Sequence, residues 1–130
     1  MTESSKKTTL EKGREVVAKL APRMEKVLAE RYDELLPGMS ETLVEFGYGR
    51  MFSRPGLDIK SRYIATIACL ATLGGQTREE LKYNVMAALR VGLTKEEIAE
   101  AIFQCTIHGG ATAAINGLDA AKEAFEAQGV

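Results

Sequence analysis

The chain has one histidine, two cysteines and almost no net charge, and these shortages exclude several classes of function. Its formal net charge is −1 and no segment concentrates lysine and arginine, so it lacks a basic surface for nucleic acid or an anionic membrane. Zinc needs three or four ligands, and neither a CxxC nor an HxxxH pattern occurs. Motifs for nucleotide cofactors are missing as well. We therefore expect no nucleic-acid or membrane partner, no metal and no cofactor.

Export and membrane signals are also lacking. Residues 63–73 form an uncharged helix core of eleven residues, about half of the ~20 that cross a bilayer. The first residues do not show the basic segment, apolar run and cleavage site of a secretory signal. We expect a cytoplasmic protein in which Cys69 and Cys105 are reduced thiols rather than a disulfide.

The apolar pattern predicts an all-α fold. Apolar residues recur at helical spacing, and no stretch alternates with the period of a strand. A chain of 130 residues can bury a real core. We expect a disordered tail over residues 1–9 and a single domain over 10–130, built as a compact bundle of about six helices.

Turn and cap signals divide the chain. Pro22 interrupts the periodicity of residues 10–36 and predicts two helices or one kinked helix. Ser40 is a predicted cap for a helix to about Phe52, and Asp58 for a helix over 59–74 that is apolar nearly all round and therefore centrally buried. The inward residues predicted for the earlier helix are Leu43, Val44 and Phe46.

The last three helices carry their own signals. Residues 77–80 and 94–97 have the sequence of capping boxes, and Gly92 and residues 109–110 are stop signals. The final helix is predicted from about Ala111 to Ala127. Its expected apolar face consists of Ala114, Ile115, Leu118, Ala121 and Phe125.

The helix over 95–108 is apolar on more than one side. Phe103 and Ile107 lie away from the stripe that contains Ile98, Ile102 and Cys105. A helix of this kind needs more than one neighbour. We therefore expect a homo-oligomer.

Asn84 is the first candidate for chemistry, because it falls inside the inward stripe of the helix over 78–91. A buried amide without partners costs roughly 1–3 kcal/mol. It therefore either bonds a neighbouring helix end or lines a pocket.

Cys105 and His108 lie three residues apart and share a predicted helix face. Cys105 is either a small core residue or a nucleophile, and its place near a helix C-terminus favours the core. His108, in line with Gln104 and Glu100, is either a capping or interfacial residue or a proton carrier. The helix dipole there favours its protonated form.

Three arginines surround the turn that leads into the helix over 59–74. Each one alone is most often a solvated charge or a structural contact. Together they would hold a substrate carboxylate, which arginine binds in bidentate fashion. They are Arg50, Arg54 and Arg62.

A set of motifs in order resembles the carboxymuconolactone decarboxylase family over about residues 12–126. The motifs are KGREV (12–16), SRPGLDIKSR (53–62), LGGQTR (73–78), AAL (87–89) with GLTKEEI (92–98), and AAIN (113–116) with AAKE (120–123). The resemblance implies an alkylhydroperoxidase D-like helical subunit that forms homotrimers or homohexamers without metal or cofactor. It also implies decarboxylation of a small lactone acid in the breakdown of aromatic compounds.

The chain departs from the family pattern at informative positions. Asn84 stands where decarboxylase-like members usually have a histidine, and Tyr63 where many have a glutamate. His108 and the two glycines after it replace a usual Tyr-Ala-Gly. The CxxC pair of the peroxide-reducing branch is missing near residues 75–78, which argues against a thiol peroxidase.

These features lead to one main hypothesis and two alternatives. In the main hypothesis His108 carries the proton, Asn84 and Tyr63 donate to a developing oxyanion, an arginine anchors the carboxylate, and Cys105 is a further candidate. The outcome is decarboxylation, isomerisation or lactone hydrolysis, in a solvent-accessible pocket shared by Asn84 and His108. The alternatives are a non-catalytic oligomeric binding or scaffold protein, and a redox protein that uses Cys105 and Cys69.

Overall fold

A computed structural model describes residues 6–130, and all regular structure within them is helical. The all-α prediction is confirmed. The chain forms two compact units, one that ends at Gly56 and one that spans Leu57–Val130. A single domain over 10–130 stays a prediction. The predicted tail lies partly outside the described residues, and the first helix begins at Thr9.

The first unit consists of three helices, two of which continue as π-helix. They are α1 (Thr9–Leu20), α2 (Met24–Leu28, continued by Ala29–Asp33) and α3 (Met39–Leu43, continued by Val44–Phe52). The chain leaves the helical conformation at Ala21, with φ −149° and ψ 67°. The break predicted at Pro22 is therefore confirmed as two separate helices.

Helix α1 and the π-helical continuation of α3 touch through their backbones. A Cβ atom on Gly13 would lie 2.6 Å from the Val44 carbonyl oxygen, and one on Gly49 would overlap the Thr9 carbonyl oxygen. Only glycine leaves room for so close a crossing. Val44 is fully buried there, as predicted, whereas Leu43 and Phe46 are exposed and their predicted inward orientation is wrong.

The predicted cap at Ser40 is wrong. The N-cap of α3 is Gly38, at φ +84°, and Ser40 is buried in the first turn of the helix. The Asp33 carboxylate accepts hydrogen bonds from the Ser40 amide at 2.9 Å and the Ser40 hydroxyl at 2.6 Å. These two hydrogen bonds, the one from the Ser40 hydroxyl more than the one from its amide, hold the pKa of Asp33 below its usual value. Asp33 therefore satisfies the α3 N-terminus from across the turn.

The second unit contains the remaining helices. They are α4 (Ile59–Thr72), a 3₁₀ turn (Gly75–Thr77), α5 (Arg78–Arg90), α6 (Lys95–Gln104), α7 (Thr106–Gly109) and α8 (Ala111–Ala127). Asp58 caps α4 by accepting the Ser61 amide at 2.8 Å, and Thr94 and Glu97 form the predicted capping box. Thr77 does not cap α5, because its backbone lacks the extended conformation of an N-cap and its hydroxyl donates to Leu70 and Gly74 carbonyls.

Helices α4, α5, α6 and α8 pack around the core of this unit. Small residues let α8 approach closely, since a Cβ atom on Gly117 would lie 2.8 Å from Ile102 Cγ2. The α8 face therefore centres on its small residues, and Ile115, predicted inward, is 58% exposed. The core side chains include Tyr63, Ile67, Ala71, Leu81, Val85, Ala88, Ile98, Ile102, Cys105, Ala114, Ala121 and Ala124.

Helix α4 packs against α5, α6, α7 and α8, as predicted for the central helix. The prediction that it is buried is only partly right, because one side of it, with Ala65, Cys69 and Thr72, is exposed. Phe103 and Ile107, predicted to lie away from the core stripe, are also exposed. Within residues 6–130, no helix combines the length and the apolar character needed to cross a membrane.

Candidate functional site

His108 and Cys105 lie close in the chain but in different surroundings. Helix α6 ends at Gln104, and His108 lies exposed on the short helix α7. Its imidazole makes no hydrogen bond or ion pair with any residue in the described range. Cys105 is 5% exposed, and its thiol donates to the Ala68 carbonyl of α4 at 3.2 Å. The structure therefore supports the core interpretation of Cys105 and leaves His108 accessible.

Asn84 is half-buried and bonds its own helix. Its Nδ2 donates to the Glu80 carbonyl, one turn earlier, at 2.8 Å. The sequence left open a bond to a neighbouring helix end or a place in a pocket, and the observed partner is instead the carbonyl four residues back in the same helix, which a short side chain reaches easily. The second N–H and the carbonyl oxygen of the amide are left for another partner.

Tyr63 is completely buried in α4. Helix α4 packs against both α5, which carries Asn84, and α7, which carries His108. Tyr63 therefore lies in the helix that these two helices share as a neighbour. Because its side chain is completely buried, Tyr63 contributes to the packing of the second unit.

The three arginines belong to different units. Arg50 and Arg54 are exposed in the first unit, and Arg62 is half-buried in α4 of the second. A carboxylate anchor built from all three stays a prediction.

A groove of about 430 Å³ runs along α6, facing α4. Its apolar floor is Ile64 and Ala101. Glu97 takes part in the N-terminal cap of α6. Hydrogen bonds from the Thr94 amide and, to a smaller extent, the Thr94 hydroxyl lower the pKa of the Glu97 carboxyl. The remaining lining side chains are Glu96, Glu100 and Gln104, and His108 follows Gln104 by four residues.

The sequence does not predict this groove, because Glu100 and Gln104 lie on α6 and Ile64 comes from another helix. The spacing of Glu96, Glu100 and Gln104 at four-residue steps is the signal that marks their common edge.

Neither Asn84 nor His108 lines the groove, so a pocket shared by the two stays a prediction. In the part of the chain described, no three His, Cys, Asp or Glu side chains are placed to bind a metal ion.

The sequence profile of the carboxymuconolactone decarboxylase family matches residues 37–123. This chain belongs to the carboxymuconolactone decarboxylase family. The matched region contains every candidate site residue that the sequence predicted.

Three relatives extend the comparison. An uncharacterized 15.0 kDa protein from the nqo9–nqo10 intergenic region of Paracoccus denitrificans is 33% identical over 116 residues, or 89% of this chain and 87% of that protein. A 4-carboxymuconolactone decarboxylase from Acinetobacter baylyi is 35% identical over 65% of this chain and 62% of its own length. Nitrosuccinic acid decarboxylase npaB from Metarhizium robertsii is 30% identical over 63% of this chain and 55% of its own length.

Proposed function

We propose that this protein is a cofactor-independent decarboxylase of a small carboxylic acid. The proposal rests mainly on two relatives within the family match that are named as decarboxylases of two different acids. Because these two relatives are named for different acids, we infer that the type of reaction is shared and that the substrate differs between members. Because the matched regions span less than two thirds of those two proteins, the activity is a proposal for this chain.

His108 is the proposed proton carrier. Loss of carbon dioxide leaves negative charge on carbon, which must be stabilised and then protonated. Imidazole donates and accepts protons near neutral pH. His108 is exposed and is the only histidine of the chain, so a substrate can reach it without displacing an internal partner.

The other candidates take supporting roles. The second N–H of the Asn84 amide is available to an oxyanion, because only one is used by Glu80. Arg50, Arg54 or Arg62 anchors the substrate carboxylate in bidentate fashion.

Tyr63 and Cys105 are proposed as positioning residues. Tyr63 is 0% and Cys105 5% exposed, so neither reaches substrate from the surface of the isolated chain. They hold α4 and α6 in place.

We also propose a cytoplasmic homo-oligomer, a trimer or hexamer, with a small molecule as the only other partner. Phe103 and Ile107 are 60% and 67% exposed. Exposed apolar side chains of this size commonly mark protein interfaces when they lie together. The assembly would complete a site that the isolated chain leaves open.

Carbon dioxide release from 4-carboxymuconolactone and from nitrosuccinic acid tests the proposal, with product identification by NMR. NMR also separates decarboxylation from isomerisation and lactone hydrolysis. We expect His108→Ala to reduce kcat roughly 10²–10⁴-fold on the accepted acid. Lys122→Ala, an exposed change on α8, serves as the control. Full turnover by His108→Ala would remove the assigned role.

The burial of Tyr63 and Cys105 favours a second candidate function, a binding protein without catalysis. That candidate predicts saturable binding of a small acid by calorimetry and no product by NMR. Turnover by the wild-type protein would exclude it.

A further inference from the structure

The two cysteines of the chain meet at one peptide bond of α4. The Cys105 thiol donates to the Ala68 carbonyl oxygen at 3.2 Å, and the nitrogen of that same peptide bond belongs to Cys69. In a trans peptide the oxygen lies about 2.8 Å from the Cα atom of the next residue. The Cys105 sulfur is therefore at most roughly 6 Å from the Cys69 Cα atom. Two cysteines that are far apart in the chain are neighbours in the fold.

The two thiols differ in their access to solvent. Cys69 is exposed, whereas Cys105 is 5% exposed. Successive side chains on an α-helix point about 100° apart, so Cys69 lies beside the Cys105 sulfur, on its solvent side. A reagent in solution therefore reaches Cys69 first. Cys105 reacts in the folded chain only with a group that is already attached to Cys69.

The Ala68 carbonyl does not depend on the Cys105 thiol for a hydrogen bond. It also accepts from the Thr72 hydroxyl, one turn later in α4, at 2.8 Å. A bond between the two sulfurs would remove the thiol donor and leave this carbonyl with a partner. Oxidation of the pair therefore avoids the cost of an unsatisfied buried acceptor.

Cys105 lies at a junction rather than inside a helix. Helix α6 ends at Gln104, and the four-residue helix α7 begins at Thr106. A disulfide requires Cα atoms about 4.4–6.8 Å apart, so Cys105 has only to approach Cys69 slightly. Because Cys105 is the residue between α6 and α7, that approach is taken up at the junction and by the short helix α7.

We propose that Cys69 and Cys105 form a site of reversible oxidation, at which a small disulfide such as glutathione disulfide converts them into an intramolecular disulfide. The Cys69 thiolate first attacks one sulfur of the small disulfide, forms a mixed disulfide with it and releases one small thiol. The Cys105 sulfur then attacks the Cys69 sulfur, and its proton passes to the second small thiolate as this departs. Two protein thiols are oxidised and one small disulfide is reduced to two thiols. The link joins α4 to the α6–α7 junction.

Peptide mapping tests the pairing. Trypsin cleaves after lysine and arginine and releases Cys69 within residues 63–78 and Cys105 within residues 96–122. The folded protein is incubated with glutathione disulfide, free thiols are blocked, and the digest is analysed by mass spectrometry without reduction. We expect the two peptides joined, two hydrogen atoms lighter than their sum, and separated again by dithiothreitol. Cys69 that carries only glutathione, or that is linked only to Cys69 of another chain, would overturn the proposal.

Serine variants test the order of the two steps. Cys105→Ser keeps a hydroxyl donor for the Ala68 carbonyl, so the fold should be retained. This variant should accumulate roughly tenfold more mixed disulfide on Cys69 than the wild-type chain, because the second step is blocked. Cys69→Ser should leave the buried Cys105 unmodified. Equal amounts of mixed disulfide in Cys105→Ser and the wild type would show that Cys105 does not resolve it.

A displaced cysteine provides the positional control. Ala65 is exposed on the same side of α4 as Cys69, one turn earlier. In a Cys69→Ser background, Ala65→Cys should take up glutathione and remain unlinked to Cys105, because the contact of Cys105 is with the peptide bond after Ala68. An equal yield of linked peptides from positions 65 and 69 would refute a pairing set by that contact.

Discussion

Replacing Gly49 with alanine should destabilise the first unit, although alanine is the better helix former. In a helix, alanine is favoured over glycine by about 0.5–1 kcal/mol. At Gly49 the added Cβ would overlap the Thr9 carbonyl oxygen and lie 2.9 Å from Thr9 Cγ2. Backbone atoms move only with the whole helix, so overpacking of about 1–3 kcal/mol is expected. The net loss in the free energy of unfolding should be about 1–2 kcal/mol.

Gly47 provides the matched control on the same helical segment. A Cβ there would have no heavy atom within 4 Å, so Gly47→Ala should raise the free energy of unfolding by about 0.5–1 kcal/mol. Urea titrations followed by far-UV circular dichroism measure both changes. The difference between the two variants isolates the overpacking at the crossing of α1 and α3. Equal stability of Gly47→Ala and Gly49→Ala would refute the close backbone approach.

Two further predictions concern acid stability and thiol reactivity. Ser40 lowers the pKa of Asp33 in the folded chain. The stabilisation from Asp33 should therefore be complete above the pKa of Asp33 in the unfolded chain, about 3.9, and should disappear as the pH falls through the lower pKa of the folded chain. Asp33→Asn should flatten the loss of stability in acid, and an unchanged pH profile in urea titrations would contradict this. Cys69 should react rapidly with a thiol reagent, and Cys105, which donates to the Ala68 carbonyl, only on unfolding. A second fast thiol would show that α4 does not cover Cys105.

Helix boundaries could be predicted where the capping interaction spans three or four residues. Asp58, Thr94 and Glu97 act on amides within one turn, so the local sequence contains both partners. Ser40 and Thr77 were predicted in the same way and failed. Each has a partner seven residues away, Asp33 for one and Leu70 for the other. A cap motif carries no information about such a competing partner.

The candidate site, like the helix boundaries, could be predicted from the sequence only in part. The motifs were sufficient to indicate the family, which the profile match over residues 37–123 confirms. The chain order also predicted Gln104 and His108 on the edge of one helix, but that helix ends at Gln104 and His108 lies on the separate helix α7. Whether a side chain on that edge is accessible depends on the neighbouring helix. Cys105 became a core residue only because α4 brings the Ala68 carbonyl to 3.2 Å, and the groove exists only where Ile64 meets α6.

The amino-acid sequence by itself determined the all-α class, the helix starts at Asp58 and Thr94, and the family. These depend on backbone hydrogen bonds within a turn and on the order of motifs along one chain. Only the tertiary structure decided that α4 is buried on one side, that Asn84 bonds Glu80, and that an accessible histidine lies beyond an acidic groove. Burial and groove shape depend on which helices pack together, and that packing is settled by contacts between residues far apart in the chain.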